Sequence, residues 1–145
     1  MIVAGILLDT NVLSELMRSQ PDLAVTGWFA RQTGVTFYTT AITKSEILLG
    51  IALLPAGKRR EALADAAVKM FHEDFSGTCL PFDESCTNQY AAVVANRRRS
   101  GFSITTEDAQ IAAIALSRNL PLATRNTKDF LHIDGLTLHN PWSQQ

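Results

Sequence analysis

The hydrophobic pattern opens with a near-continuous apolar run, Ile2 to Leu8, that stops abruptly at Asp9. The run has strand length, and apolar residues without alternation mark a strand buried on both faces, as in a parallel sheet. After Asn11 the period changes, and Val12, Leu13 and Leu16 share one helical face. A second helical segment spans roughly Pro21 to Gln32, with Leu23, Trp28 and Phe29 as core candidates, and Gly34 ends it. Val35 to Tyr38 is a short β-prone run. Thr43 to Leu54 is helical again, with Ile47, Leu48, Ile51 and Leu54 at helical spacing ahead of Pro55 and Gly57. A long amphipathic helix is predicted over about Lys58 to Phe75. Thr78 to Phe82 reads as a strand, and Asp83 caps a helix that runs to about Ser100 and closes at Gly101. Thr106 to Arg118 is the next helix, with Ile111, Ala112, Ala115 and Leu116 inward. Leu120 to Thr124 is a strand, Leu136 to Leu138 a candidate edge strand, and the tail NPWSQQ a loop.

Strands alternating with helices predict an α/β fold, a parallel sheet covered by helices on both faces. No linker, repeat or low-complexity segment interrupts the pattern, so residues 1–145 read as a single domain. In open sheets of this kind ligands bind outside the carboxyl ends of the strands. Asp9 falls at such an end. It also suits a plain local role, because a strand-to-helix corner needs a capping residue.

Composition narrows the classes. A chain of 145 residues, 46% apolar and 19% charged, is ordinary for one water-soluble domain with a real core. The formal net charge of -1 argues against a polycation that coats nucleic acid, but leaves room for a local basic surface. Cys79 and Cys86 match no zinc or CxxC spacing and read as buried or incidental thiols. The apolar start lacks a basic flank, and no apolar stretch approaches the ~20 residues a bilayer span requires, so a cytoplasmic protein is expected and a membrane partner is not. His72, His132 and His139 lack ligand spacing, and Trp28 and Trp142 read as packing residues.

The candidate chemistry is acidic. Glu46 lies in AITKSEILLGI and Asp108 in ITTEDAQIAAIA, each in a predicted first helical turn; Asp129 follows a strand end in ATRNTKDF, three residues after Asn126. Singly, each has a capping explanation: Thr43 with Glu46 fits a capping box, and Thr105 with Asp108 is a looser one. Together they share one edge, because parallel topology gathers strand carboxyl ends and helix starts on the same side of the sheet. Carboxylates at close quarters repel, and an all-oxygen cluster that stays ionised suits a hard divalent cation such as Mg²⁺ or Mn²⁺. Such a site supports in-line displacement at phosphorus without a His or Cys nucleophile.

The segments DTNVLSEL, TKSEILLGIALLP, DAQIAAIALSRNLPLATRNTKDF and NPW, in this order over nearly the whole chain, resemble the PIN-domain ribonucleases, and among them the VapC-like toxins that include the FitB-like subgroup. The resemblance implies a PIN-like fold, a central parallel sheet of about five strands. It implies a Mg²⁺ site at Asp9, Glu46 and Asp108, with Asp9 and Asp108 the most direct ligands and Glu46 completing the cluster or orienting water. Many family members have Asp where this chain has Asn126; Asp129 supplies that charge, or Asn126 acts as a neutral ligand or holds a water. Asn11 and Thr124 match polar residues that flank such sites. The implied reaction is hydrolysis of RNA phosphodiesters. Arg125, Arg97, Arg98, Arg99, Lys58, Arg59 and Arg60 are candidates for holding phosphates, with solvated helix ends as the plain alternative for the two triplets. The implied partners are a small VapB-like antitoxin and a second copy of the chain. Operator DNA is reached only through the antitoxin.

Competing classes fit less well. A haloacid-dehalogenase-like phosphatase needs a second Asp where this chain has Asn11, and no receiver-type Lys can be placed. GxGxxG and GxxxxGK loops are absent, against a dinucleotide or P-loop enzyme. The alternative from another class is a catalytically inactive PIN fold that binds antitoxin or RNA. Retention of Asp9, Glu46 and Asp108 argues against it.

Overall fold

The computed structural model describes residues 4–143, so Ile2 and Val3 of the predicted opening strand lie outside the described residues. Strand β1 (Ala4–Leu8) is the centre of a five-stranded, wholly parallel sheet. Its neighbours are β2 (Val35–Thr40) and β4 (Leu122–Ala123), with β3 (Cys79–Leu80) and β5 (Leu138–His139) at the edges, in the order β3-β2-β1-β4-β5. The alternation of β1 sorts the core into two faces. Ile6 and Leu8 pack with Val12, Leu13 and Trp28 on one side, and Leu7 packs with the Ile111–Ala115 run on the other. Leu7 and Leu8 are wholly inaccessible, each worth about 1.5–3 kcal/mol of burial. Gly5 answers a close approach: a Cβ there would lie 2.8 Å from Leu120 Cδ2 and 2.9 Å from Tyr38 Cε2.

Helix α1 (Thr10–Leu16) follows β1 directly, capped by Asp9. Helix α2 (Leu23–Ala30), capped by Asp22, turns Val25 and Trp28 inward and leaves Leu23 85% exposed, so Leu23 is not the core residue the sequence suggested. It is the first residue of the helix and lies on the side away from Val25 and Trp28. Helix α3 (Ala41–Ala52) begins two residues earlier than predicted, because the Thr40 hydroxyl takes the capping role and accepts from Thr43 N at 3.0 Å. Glu46 therefore lies in the second turn, and the predicted Thr43–Glu46 capping box does not form. The long helix foreseen to Phe75 is α-helical as α4 (Lys58–Lys69) and then widens into a π turn at Met70–Asp74. Phe75 N donates to the Met70 carbonyl at 3.2 Å, and the wider turn buries Met70, Phe71 and Phe75 together.

Asp83 caps a short 3₁₀ turn (Glu84–Cys86) that leads into α5 (Thr87–Arg99), and Gly101 closes that helix at φ +81°. Helix α6 (Thr106–Ser117) starts where the sequence placed it, with Thr105 accepting from Asp108 N at 3.1 Å. A second 3₁₀ turn (Thr127–Phe130) follows β4. Cys79 and Cys86 are free, and no helix of the described residues is long and apolar enough to cross a membrane.

Candidate active site

Asp9 is fastened where β1 passes into α1. Its backbone N–H continues the sheet by donating to the Ala123 carbonyl at 2.9 Å. Its buried carboxylate accepts from Thr10 N at 2.8 Å, from Thr124 Oγ1 at 2.8 Å and from Asn11 Nδ2 at 3.3 Å. Thr124 spends its one hydroxyl proton on Asp9 and accepts from Asn11 Nδ2 at 3.2 Å and Asn126 N at 3.1 Å. Asn11 Oδ1 in turn accepts from Arg125 N at 3.1 Å. These bonds join the ends of β1 and β4 into one polar unit.

Glu46 arrives from α3. Thr10 Oγ1 donates to Glu46 Oε1 at 2.7 Å, and with that proton committed, the 3.0 Å contact between the Thr10 and Thr43 hydroxyls is a donation from Thr43. Asp108 sits in the first turn of α6, half-buried. Asp129 lies in the 3₁₀ turn after β4, its N–H bonded to the Asn126 carbonyl at 3.0 Å.

The acids sense one another. Burial pushes the Asp108 carboxyl from its ordinary 3.8 up to about 6, aided by the charge of Asp9 and then by those of Asp129 and Glu46, against the Thr105 hydrogen bond. Burial also raises Asp9, opposed by its bonds to Thr124, Thr10 and Asn11, with the charge of Asp129 adding to the rise. Glu46 is raised by burial, opposed by Thr10, with Asp9 and Glu107 contributing repulsion. The structure thus brings Asp9, Glu46, Asp108 and Asp129 to one edge. No Lys or Arg pairs with any of them among the described residues, where the one ion pair is Arg18–Glu15.

These carboxylates fit a hard cation in chemistry: every donor is oxygen and their mutual repulsion is unneutralised. They are not closed into a cage. Among the described residues no three His, Cys, Asp or Glu side chains stand ready as a metal-ligand group. Glu46 is held by Thr10 instead.

The basic candidates separate. Arg125 is exposed beside the site, with its guanidinium 5.1 Å from the Trp142 ring centre. Arg97 is only 3% exposed and donates to two backbone carbonyls, so it is no phosphate ligand. Arg98 and Arg99 are exposed, as are Lys58 and Arg59 on α4. Sequence reasoning missed Thr10 and Glu107, and placed Thr43 in a capping box with Glu46 where the structure sets its hydroxyl against Thr10. Thr10 reaches Glu46 across the fold and Thr43 donates to Thr10; only the adjacency of Thr10 to Asp9 in DTN and of Glu107 to Asp108 hinted at the two missed residues.

Fold and site together define a parallel α/β domain with an acidic centre on the carboxyl edge of its sheet. The PIN domain family matches residues 6–136, and the chain belongs to that family. It is 40% identical over 137 residues to a VapC ribonuclease of Sinorhizobium fredii, a match covering 94% of this chain and 97% of the relative. It is 39% identical over 137 residues to toxin FitB of Neisseria gonorrhoeae, covering 94% and 98%. The structure of FitAB bound to a DNA fragment superposes with a TM-score of 0.88 at 37% identity, covering 97% of each chain. The PIN-like fold with its five-stranded parallel sheet is therefore the fold of this protein.

Proposed function

We propose that the protein is a metal-dependent endoribonuclease that hydrolyses RNA phosphodiesters as the toxin of a cytoplasmic toxin–antitoxin pair. The observation that carries this reading is the acidic edge itself: Asp9 fixed by Thr124, with Asp108 raised to about 6 beside it, in a PIN-family chain whose relatives include a ribonuclease and a toxin. Asp9 and Asp108 would hold Mg²⁺ or Mn²⁺, which supplies Lewis-acid stabilisation of charge developing on the phosphoryl oxygens. Glu46, steadied by Thr10, orients the attacking water. Asp129 contributes the fourth negative charge, in place of an acid at Asn126. Thr124 and Asn11 keep Asp9 in one orientation, and Arg125 meets the phosphate backbone from the rim. The expected partners are a small VapB-like antitoxin that covers the acidic edge, a second copy of the chain, and operator DNA through the antitoxin.

The test is cleavage of single-stranded RNA by the purified chain with Mg²⁺, Mn²⁺ or EDTA, alongside Asp9→Asn and Asp108→Asn. Cation-dependent cleavage lost in both variants is the expected result. Equal inertness of all three, with no Mn²⁺ uptake by calorimetry, overturns the reading in favour of a PIN-fold binding module for antitoxin or RNA.

A further inference from the structure

Arg97 is the one member of the basic RRR run that the fold takes inside, and no carboxylate meets it there: the ion pair among the described residues is Arg18–Glu15. Burying a guanidinium is costly unless its donors are well used. Two of them are. Nη2 donates to the Ser103 carbonyl at 2.7 Å and Nη1 to the Leu131 carbonyl at 2.6 Å. The two acceptors belong to different loops, each next to an acid of the site. Ser103 stands just ahead of Thr105, the residue that caps α6 and so places Asp108. Leu131 directly follows the 3₁₀ turn that carries Asp129.

The same loops meet a second time. The Phe102 ring lies 5.3 Å from the Arg97 guanidinium and stacks on His132, with ring centres 4.6 Å apart. Arg97 is delivered to this position by the end of α5, where Phe102 N returns to the Arg97 carbonyl at 2.9 Å across Gly101.

We infer that Arg97 is a positioning residue: its guanidinium clips the loop before α6 to the loop after the 3₁₀ turn, and so fixes the spacing between Asp108 and Asp129. The inference rests on the nuclease reading above. The fork of two donors on one rigid plane is what spans both carbonyls, and a lysine ammonium, a single point charge, does not reproduce it. Because Arg97 is sealed from solvent, its influence on the reaction runs through the acids and not through RNA.

The experiment compares wild type, Arg97→Lys, Phe102→Leu and Val93→Ala in steady-state cleavage of a single-stranded RNA oligonucleotide, Mn²⁺ calorimetry of the metal-free protein, and thermal melting. Val93 is a buried apolar core residue of α5 with no side-chain donor to offer either carbonyl, so Val93→Ala reports the cost of merely loosening that helix. Arg97→Lys is expected to lose about 10- to 100-fold in kcat and in Mn²⁺ affinity with KM little changed, as outer-sphere supports do. Phe102→Leu, which keeps the guanidinium but removes its aromatic cover, falls in between and serves if Arg97→Lys does not fold. Val93→Ala melts lower yet keeps kcat and Mn²⁺ affinity. The inference is overturned if the folded Arg97→Lys or Phe102→Leu protein matches wild type, if the loss falls on KM alone, or if Val93→Ala loses kcat equally. A wild type that neither cleaves nor takes up Mn²⁺ brings down the nuclease reading itself, and this inference with it.

Discussion

The two sides of the acidic edge are built on different principles. On the β1–β4 side Asp9 is buried, and its carboxylate takes three hydrogen bonds from Thr10, Thr124 and Asn11. On the helix side Glu46 has a single hydroxyl donor, and Asp108 has Thr105 as its hydrogen-bonding partner. Three hydrogen bonds oppose burial at Asp9, which is still raised, whereas at Asp108 only Thr105 opposes burial and neighbouring charge, and the carboxyl is carried to about 6. One side is a preorganised anchor, and the other is a pair of arms whose ionisation depends on what neutralises them.

The largest expected effect falls on both sides at once. Asp9→Asn and Asp108→Asn each lower kcat by about 10³-fold or more in RNA cleavage with saturating Mg²⁺, the scale of losing a principal electrostatic group. If one of them retains most of its activity, the two sides are not equal partners in holding the cation.

Thr124→Val tests the anchor alone. It removes the shortest side-chain donor to a buried carboxylate, at a cost of about 1–3 kcal/mol in urea unfolding near pH 7, and lowers activity by about 10- to 100-fold. Unchanged unfolding would mean that Asn11 and Thr10 suffice to hold Asp9.

Asp108→Asn also sharpens the contrast through stability. A carboxyl raised in the folded state favours folding below its unfolded value of 3.8, and that contribution fades as pH rises through the folded value of about 6. In EDTA the wild type therefore loses stability relative to Asp108→Asn between about pH 4 and pH 6, and the gap stays constant above. A rise of about two in pKa corresponds to ~3 kcal/mol at full value; solvent screening of a half-exposed carboxylate reduces the expected gap to ~1 kcal/mol. Saturating Mn²⁺ narrows or reverses it, because only the wild type gains from binding. A gap that grows on acidification contradicts the sign.

Thr10→Val, the counterpart of Thr124→Val on the arm side, costs under ~1 kcal/mol in urea unfolding, since Glu46 is exposed and water replaces the lost donor. The smallest effect is that of Arg125→Ala: a few-fold rise in KM with kcat unchanged, and a shallower salt dependence of RNA binding. A fall in kcat instead would move Arg125 from the rim into the reaction.

Local rules read directly from the chain account for much of this. The unbroken apolar run to Leu8 marks a strand covered on both faces, and its abrupt end puts Asp9 on the carboxyl edge; alternating elements give the parallel sheet, and Thr105 gives the start of α6. Periodicity and capping are short-range, so sequence determines them. What closes across the fold is decided only in three dimensions. Thr124 reaches Asp9 over a separation of 115 residues, and Thr10 reaches Glu46 over 36. The predicted Thr43–Glu46 box gives way because Thr40, at the end of β2, is nearer the α3 start. Arg97 turns inward while Arg98 and Arg99 stay in water, because only its position on α5 faces the carbonyls of Ser103 and Leu131. A side chain's partners depend on which residues the packing sets opposite it, and neighbours in sequence carry no record of that.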